Sequence, residues 1–213
     1  MVREGGQPRL IALVLEQLAD QQEILQQERD AWSFVWSGPD PRHSRTADTY
    51  ATVDQLLTQA KKRLLIATYN IGLSDEFREL LESIAKRLES AQLETVELFF
   101  HPIQLGNNLG TDPLAVIRRW FISEVWPWPA KPTVYVDYRL LQDGRVRTVQ
   151  HSKVVIADAG TPAAQALVTS ANFSENAHRH NFEAGWLCKE TWRVQQIHDH
   201  FQQLVQDGLF VRL

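Results

Sequence analysis

The sequence has few of the features that mark extracellular and membrane proteins. Cys188 is the only cysteine, so no disulfide can form within the chain, as is usual in a reducing compartment. No apolar run approaches the roughly 20 residues that cross a bilayer. The longest near the N-terminus, Leu10 to Leu15, lies inside an amphipathic pattern, and no signal-peptide pattern is present. We therefore expect a soluble cytoplasmic protein that has no membrane partner.

Charge of one sign is not in large excess, since 22 basic and 26 acidic residues leave a formal net charge of −4. The distribution is uneven, however. Residues 115–153 hold seven Lys and Arg against three Asp and Glu, and residues 73–100 hold seven acids against three bases. The basic stretch, with Arg139, Arg145 and Arg147, suits a substrate with a phosphate backbone. A set of solvated arginines on strand and loop surfaces explains it equally well.

Apolar periodicity predicts helices that alternate with strands. Helices are expected over residues 7–31, 47–62, 75–91, 111–125 and 191–205. Strands are expected from residue 32 and over 63–70, 95–101, 133–140, 147–158, 166–169, 181–188 and 209–213. This order predicts an α/β fold with a central mixed β-sheet flanked by helices on both faces. We divide the chain into an N-terminal helix with its connecting segment, residues 1–46, and a domain over residues 47–213.

The most informative residues lie on three strand-like segments of the last third. On the first segment, His151 and Lys153 stand two residues apart and so project from the same face of a strand, and four residues separate Lys153 from Asp158. Residues 158–165 predict a turn. The resulting hairpin would return Ser170 and Asn172 to the His151 end of the sheet.

The third segment begins with Asn181, which shares one strand face with Glu183. The three segments would thus bring polar groups to one place, and these groups suit phosphodiester chemistry without a metal. A neutral imidazole such as that of His151 is a nucleophile towards phosphorus. Lys153 and the Asn172 amide can hold the non-bridging oxygens, whose charge grows in the transition state. A carboxylate such as Glu183 can fix the imidazole tautomer and stabilise the cation that forms.

The pattern H-x-K-x4-D, followed by S-x-N and N-x-E, resembles the phospholipase D superfamily, whose signature is this HKD motif with a downstream G-S-x-N element. The resemblance implies a phospholipase D-like catalytic domain and a covalent phosphohistidine intermediate, with no metal and no cofactor. One histidine attacks, and a second, from another copy of the motif, protonates the leaving oxygen. The sequence departs from the family pattern at Thr169, where the family has glycine before the serine.

Roles follow from the resemblance residue by residue. His151 would be the nucleophile or the acid, Glu183 the partner of a catalytic histidine, and Asp158 a structural residue near the active centre. The candidate catalytic residues are therefore His151, Lys153, Asp158 and Glu183, and the candidate phosphate-binding residues are Lys153, Ser170, Asn172 and Asn181.

The motif occurs once, since none of the other six histidines is followed by a lysine two residues on. Family members with two motifs are pseudo-dimers within one chain. A chain with one motif would need a homodimer, in which two His151 side chains face each other across a two-fold axis at the active site.

Two further motifs allow more than one interpretation. Trp126-Pro127-Trp128-Pro129 is either a stiff buried loop, the favoured interpretation, or an exposed segment that stacks on bases or lies at a lipid surface. In His178-Arg179-His180, the histidines are expected to be solvated or structural, because no Cys or acid completes a metal site. Arg179 is a candidate contact for a substrate phosphate.

Three functional classes remain open. The favoured one is a metal-independent phosphodiesterase that acts on DNA or RNA. The second is a nucleic-acid-binding or scaffold subunit with a dispensable HKD site. The third is a phospholipid phosphodiesterase, which would require an exposed apolar lip at the site. The W-S-G-P, S-R-T-A and Y-N-I-G segments resemble the phospholipase D-like component of the DISARM phage-defence system. That resemblance implies a bacterial protein with nucleic acid as its target and other defence-system proteins as partners.

Overall fold

The computed structural model describes residues 7–39, 46–106, 109–141, 149–174 and 181–213. The chain divides into two compact units, Met1–Trp32 and Ser33–Leu213. The first unit contains helix α1, Gln7–Asp30, which was predicted from the sequence. Its apolar side chains are exposed, from Val14 at 46% to Leu10 at 64%. No helix in the described ranges is long and apolar enough to cross a membrane.

The second unit is built on a mixed sheet of nine described strands in the order β2-β1-β8-β7-β6-β3-β4-β5-β9. The strands are β1 Trp32–Ser37, β2 Ala47–Asp48, β3 Arg63–Thr68, β4 Thr95–Phe100, β5 Thr133–Asp137, β6 Val154–Ala157, β7 Gln165–Thr169, β8 Glu183–Cys188 and β9 Phe210–Arg212. The helices are α2 Thr49–Gln59, α3 Asp75–Glu89, α4 Pro113–Trp120 and α5 Thr191–Gln206. Single helical turns cover Ile103–Leu105, Phe121–Val125 and Tyr138–Leu140.

Helices pack on both faces of the sheet, as predicted. Alternate residues of β4 divide between the faces because strand side chains point to opposite sides. Leu98 belongs to the main core cluster, together with Leu57 of α2 and Ile84 of α3. Phe99 points the other way and packs on Phe201 of α5, with ring centroids 5.0 Å apart. The sheet is therefore the middle layer of a three-layer α/β fold.

Strand directions determine where chain ends and loops collect. The central strands β3, β4 and β5 are parallel. β6 runs antiparallel to β3, β7 to β6 and β8 to β7, which makes β6–β7 the predicted hairpin. β3, with five of its six residues buried, is apolar on both faces, as expected for a central strand.

The structure corrects several predicted boundaries. The strand expected from Arg147 begins only at Val154, so His151 and Lys153 precede β6; residues 142–148 lie outside the described part of the chain. Side chains satisfy backbone carbonyls before the strand: the Gln150 amide donates to the Ser152 carbonyl, and the Lys153 ammonium donates to the His151 carbonyl. Asn181 likewise precedes β8. The helix expected from Ala47 begins at Thr49, after the two residues of β2.

Candidate active site

The topology collects strand ends at one edge of the sheet. The parallel strands β3, β4 and β5 end there, and β7 ends there too. β6 and β8 begin at the same edge because they run antiparallel to β3 and β7. The predicted residues around the starts of β6 and β8 and the end of β7 therefore lie at this edge, which we call the site edge. Asp158, after the end of β6, lies at the opposite edge.

His151 and Lys153 are in direct contact. The Lys153 ammonium lies 2.8 Å from Nδ1 of His151 and donates to the His151 carbonyl oxygen at 2.8 Å. Lys153 is 6% exposed, whereas His151 is exposed. Burial lowers the pKa of Lys153, and the Glu183 carboxylate opposes that shift. The loop before β6 therefore presents an accessible imidazole backed by a buried cation.

Glu183 joins Ser170 and Asn181. The Ser170 hydroxyl donates to one carboxylate oxygen of Glu183, and the Asn181 amide donates to the other at 3.3 Å. The backbone N–H of Ala184 donates to the Ser170 hydroxyl at 3.1 Å. Both Glu183 oxygens are thus occupied by residues at the site edge, and none of the described contacts of Glu183 is to His151.

Asn172 is fixed by the segment that follows β7. The backbone N–H of Phe173 donates to the hydroxyl of Thr68, at the end of β3, at 3.1 Å. The Gly72 N–H donates to the Phe173 carbonyl at 2.6 Å. The Asn172 side-chain oxygen is buried and accepts no hydrogen bond from the described residues. A buried acceptor without a donor is costly, so this oxygen is suited to a donor that arrives with a ligand.

Three residues beside the candidate site were not predicted from the sequence: Tyr69, His101 and Asp137. The Tyr69 ring lies 4.9 Å from that of His151 and stacks on that of His101 at 5.2 Å, with 20° between the latter two planes. The signal that could have found them is their place in the chain, because Tyr69 and His101 each directly follow a parallel strand and Asp137 ends one. Polar residues at the carboxyl ends of parallel strands are the usual constituents of sites in such sheets.

His101 is a buried histidine whose pKa is lowered by its surroundings. It is 2% exposed, and its Nδ1 has no hydrogen-bond partner in the described part of the chain. Burial lowers the pKa of His101, the Asp137 carboxylate raises it, and His151 lowers it further. Asp137 is itself buried and paired with Arg139. Because His101 itself is buried, it cannot reach a substrate directly.

Asp158 acts on the backbone. Its carboxylate, 3% exposed, accepts hydrogen bonds from the N–H groups of Lys61, Lys62 and Arg63 at 2.7–3.1 Å. These bonds tie the end of β6 to the start of β3. The structural role that the resemblance implies fits this placement, but the residue lies a strand length away from His151 and is not brought together with the other candidates.

Other predicted features fall outside the site or outside the description. Trp126 is fully buried and donates from its indole nitrogen to the Ala130 carbonyl at 2.7 Å, and Trp128 packs against it edge-on. The Trp126–Pro129 segment therefore follows the burial interpretation. Arg145, Arg147 and the 178–180 segment lie outside the described residues. Among the described side chains, no group of three or more His, Cys, Asp or Glu is arranged to hold a metal ion.

The chain is similar to known proteins in part of its sequence and in its fold. Residues 127–205 match the family model described as "Cardiolipin synthase, PLD-like domain", a segment that contains the candidate residues from His151 to Glu183. NucT from Helicobacter pylori superposes with a TM-score of 0.57 and 17% identity, covering 85% of this chain and 99% of NucT. Nuc from Salmonella typhimurium, a phospholipase D family member, superposes with a TM-score of 0.53 and 14% identity, covering 85% and 97% of the two chains. The chain has the phospholipase D-like fold.

Two further comparisons complete this picture. Phosphatidylserine synthase from Haemophilus influenzae Rd KW20 superposes with a TM-score of 0.54 and 20% identity, over 85% of this chain but only 39% of the synthase. No curated protein sequence matches the chain significantly.

Within the phospholipase D-like fold, the threonine that replaces the expected glycine is accommodated by its neighbour. Thr169 pairs with Gly185 of β8, and a Cβ at Gly185 would lie 2.8 Å from that of Thr169. The Thr169 hydroxyl donates to the Ala184 carbonyl at 3.2 Å and accepts from the Ala171 N–H at 3.1 Å. In this chain the glycine of the pair is therefore Gly185 on β8, and the hydrogen bonds of the Thr169 hydroxyl hold the start of the Ser170–Asn172 segment.

Proposed function

We propose that the chain is a metal-independent phosphodiesterase, a nuclease that cleaves DNA or RNA through a covalent phosphohistidine intermediate. The observation that carries the proposal is the contact of His151 with Lys153 at a sheet edge that also holds Ser170, Asn172 and Glu183. An imidazole nucleophile beside a buried cation and an amide is suited to displacement at phosphorus. The phospholipase D-like fold and the family match over residues 127–205 support the same chemistry.

The contact between Lys153 and His151 defines a resting arrangement. An ammonium group can only donate, so Nδ1 of His151 is the acceptor, and the neutral ring then carries its proton on Nε2. Attack from Nε2 requires the other tautomer. A bound phosphate that attracts Lys153 would free Nδ1 to take the proton and would leave the Nε2 lone pair available.

The reaction then proceeds in two balanced steps. Nε2 of His151 forms a bond to phosphorus while the ester P–O bond breaks, and the leaving oxygen takes a proton from a second, protonated histidine. That histidine next removes a proton from water, the hydroxide attacks phosphorus, and the P–N bond breaks. Lys153 and Asn172 stabilise the charge on the non-bridging oxygens in both steps.

The second histidine would come from a second copy of the chain. The motif occurs once, and the buried His101 is not accessible to a leaving group. A homodimer with its active site at the two-fold axis would pair a neutral His151 with a protonated one. A reaction that needs one imidazole as the base and the other as the acid gives a bell-shaped pH–rate profile.

A role in bacterial phage defence is part of the proposal. It rests on the W-S-G-P, S-R-T-A and Y-N-I-G segments, two of which contribute to the surroundings of the site. Tyr69, from Y-N-I-G, contacts His151, and Trp36, from W-S-G-P, contacts Phe182 beside Glu183. Nucleic acid and other defence-system proteins are the partners that this role implies.

One specific observation favours a second candidate function, that of a phospholipid phosphodiesterase. Phe182, between Asn181 and Glu183, is 70% exposed and forms an apolar lip at the site. Trp126 is buried and cannot form such a lip. The scaffold alternative, by contrast, loses its best support because Gly185 accommodates Thr169.

The deciding experiment incubates the purified protein in EDTA with labelled single- and double-stranded DNA and RNA and, separately, with phospholipid vesicles. His151→Ala and the matched control His200→Ala, an exposed histidine of α5, are assayed alongside. Cleavage of nucleic acid by the wild type and by His200→Ala, and not by His151→Ala, is the expected result. Hydrolysis of lipid alone would favour the second candidate. No turnover, with nucleic-acid binding intact in both variants, would favour a scaffold subunit.

A further inference from the structure

A cavity lies beside the candidate catalytic residues at the site edge. Its volume is about 400 Å³, which is within the range of cavities that hold small organic groups. None of the candidate catalytic or phosphate-binding residues lines it. The residues that do line it follow the ends of β3 and β4, and they are Asn70, Ile71, Gly72, Leu73, Ile103 and Gln104. We call it the β3–β4 cavity.

The wall of the cavity is joined to the site at two points. Asn70 directly follows Tyr69, the ring neighbour of the candidate nucleophile. Ile71 pairs with Phe173 in an isolated bridge, and Phe173 directly follows the proposed phosphate ligand Asn172. A group bound in the cavity would therefore be an immediate neighbour of a phosphate bound at the site.

The position of this wall is fixed by backbone packing at Gly72. Its N–H donates to the Phe173 carbonyl at 2.6 Å, and a Cβ at Gly72 would lie 2.9 Å from the Cα of Ser174. Only glycine permits so close an approach. The cavity and the segment that carries Asn172 are thus held together before any ligand binds.

Two side-chain amides form a polar edge in the cavity. The Gln104 amide nitrogen donates to Oδ1 of Asn70 at 2.6 Å and to the Ile71 carbonyl at 2.9 Å, which uses both of its hydrogens and fixes both amide orientations. Oε1 of Gln104 and Nδ2 of Asn70 have no hydrogen-bond partner among the described residues. A ligand would thus find one acceptor and one donor side by side.

The other lining groups are apolar and uncharged. Ile71 is buried, whereas Leu73 and Ile103 are 38% and 37% exposed. A phosphate needs cations, and none lines this cavity. An acyl chain would cover the two amides without pairing them, which is costly. A nucleobase is flat and uncharged, and it carries donors and acceptors side by side along its edge.

We propose that the β3–β4 cavity binds the base of the nucleotide next to the scissile phosphate, with Gln104 and Asn70 on the edge of that base. The proposal rests on the proposed function, because it assigns to the same site a part of the substrate that lies outside the chemistry. Every base has a donor beside an acceptor on its edge, so the cavity distinguishes a strand with bases from a strand without them.

Fluorescence anisotropy in EDTA tests the proposal by binding alone, in the His151→Ala protein so that no strand is cut. The probes are a labelled single-stranded DNA oligonucleotide and an abasic strand of the same length and charge. The parent is expected to bind the base-bearing strand about 10-fold more tightly, within the range for one base held by a protein. Gln104→Met keeps the side-chain length but removes the amide, and should lower this preference below about threefold without weakening the abasic strand.

The matched control is Gln59→Met, at an exposed glutamine that accepts from Gln55 at the end of α2, and it should keep the parent's preference. Leu73→Ser removes an exposed apolar wall and provides the same test if Gln104→Met lowers the melting temperature. Equal affinity for the two strands, or no affinity for either, would overturn the proposal. So would a preference that survives both cavity variants, since the base would then be bound elsewhere.

The proposed function fails separately, in cleavage assays of the wild-type protein with the same two strands. A protein that cleaves neither strand but shows the Gln104-dependent preference would refute the nuclease and leave the cavity assigned as a base-binding site. A protein that cleaves both strands equally well and binds them equally would refute the cavity and leave the nuclease standing.

Discussion

Tyr69 and His151 are ring neighbours at the site edge, with centroids 4.9 Å apart and planes inclined by 49°. The same tyrosine stacks on the buried His101, and the Lys153 ammonium lies 5.6 Å from its ring centre. The loop after β3 thus supplies one wall for both members of the HKD pair. His151 precedes β6, so the tyrosine ring and the Lys153 ammonium at Nδ1 are the described contacts that restrict its imidazole.

The first prediction concerns that wall. Tyr69→Leu is expected to lower kcat by about 10- to 100-fold with a smaller change in KM, because a misplaced nucleophile costs rate more than binding. Tyr69→Phe retains the ring and is expected to restore most of the rate. Steady-state kinetics with the substrate identified for the wild type measures both. Equal losses in the two variants would show that the hydroxyl group, and not the ring, is the functional part.

Much of this site could be predicted from the sequence, and the reason is topological. The hairpin and the start of β8 return Ser170, Asn172 and Glu183 to the His151 end whatever the details of packing. The helix–strand order likewise predicted the layered sheet. These inferences need only the spacing of apolar residues, the turn residues, and the rule that strands joined by short connections lie side by side in a sheet.

The remaining features depend on contacts between distant parts of the chain. His101 follows a strand directly, but its place beside Tyr69 depends on the register that puts the ends of β3 and β4 side by side. The start of β6 at Val154 was not predicted, because the residues before it have the composition of a strand. Hydrogen bonds from the Gln150 and Lys153 side chains hold the backbone there in another conformation.

The second prediction is a pH dependence of stability. His101 is buried beside Tyr69, Asp137 and His151, and burial lowers its pKa in the folded state. The folded protein therefore binds fewer protons than the unfolded chain, so stability is fully present above the unfolded pKa of about 6.5 and falls as the pH drops below it. His101→Phe keeps the stack on Tyr69 without a titrating group, and its Tm should fall less between pH 7.5 and pH 5.

Thermal melting at half-unit pH steps measures this slope. His200→Phe, at an exposed histidine of α5, is the control and should keep the wild-type slope. Parallel curves for the wild type and His101→Phe would mean that another group accounts for the acid sensitivity.

The third prediction separates Asp158 from the chemistry. Asp158→Asn replaces an acceptor of backbone N–H groups with an amide whose NH2 group faces donors, and the site is 3% exposed. We expect a loss of about 2–4 kcal/mol in the free energy of unfolding, the range for a disrupted buried network that includes a charge. The kcat per folded molecule should change by less than about threefold, because this carboxylate lies at the opposite edge from His151.

Urea denaturation and kinetics on the same preparations test this prediction. Asp199→Asn, at an exposed carboxylate of α5, should leave both quantities unchanged. A stable Asp158→Asn protein that has lost its turnover would instead place Asp158 in the catalytic machinery.

The fourth prediction tests whether Gly185 compensates for Thr169. A Cβ at Gly185 would lie 2.7 Å from the Val168 carbonyl and 2.8 Å from the Thr169 Cβ, so Gly185→Ala should cost about 1–3 kcal/mol, as overpacking usually does. Thr169→Gly alone removes two hydrogen bonds of the threonine hydroxyl and should also destabilise.

In the double variant the side-chain clash is gone although the carbonyl contact remains, so the two costs should sum to more than the cost of the pair. A double-mutant cycle from urea denaturation measures the difference, with Gly208→Ala as a control because its left-handed φ of +71° strains alanine without any such contact. Strict additivity would mean that Thr169 and Gly185 tolerate each other independently and that the shape of the Ser170–Asn172 segment does not depend on this pair.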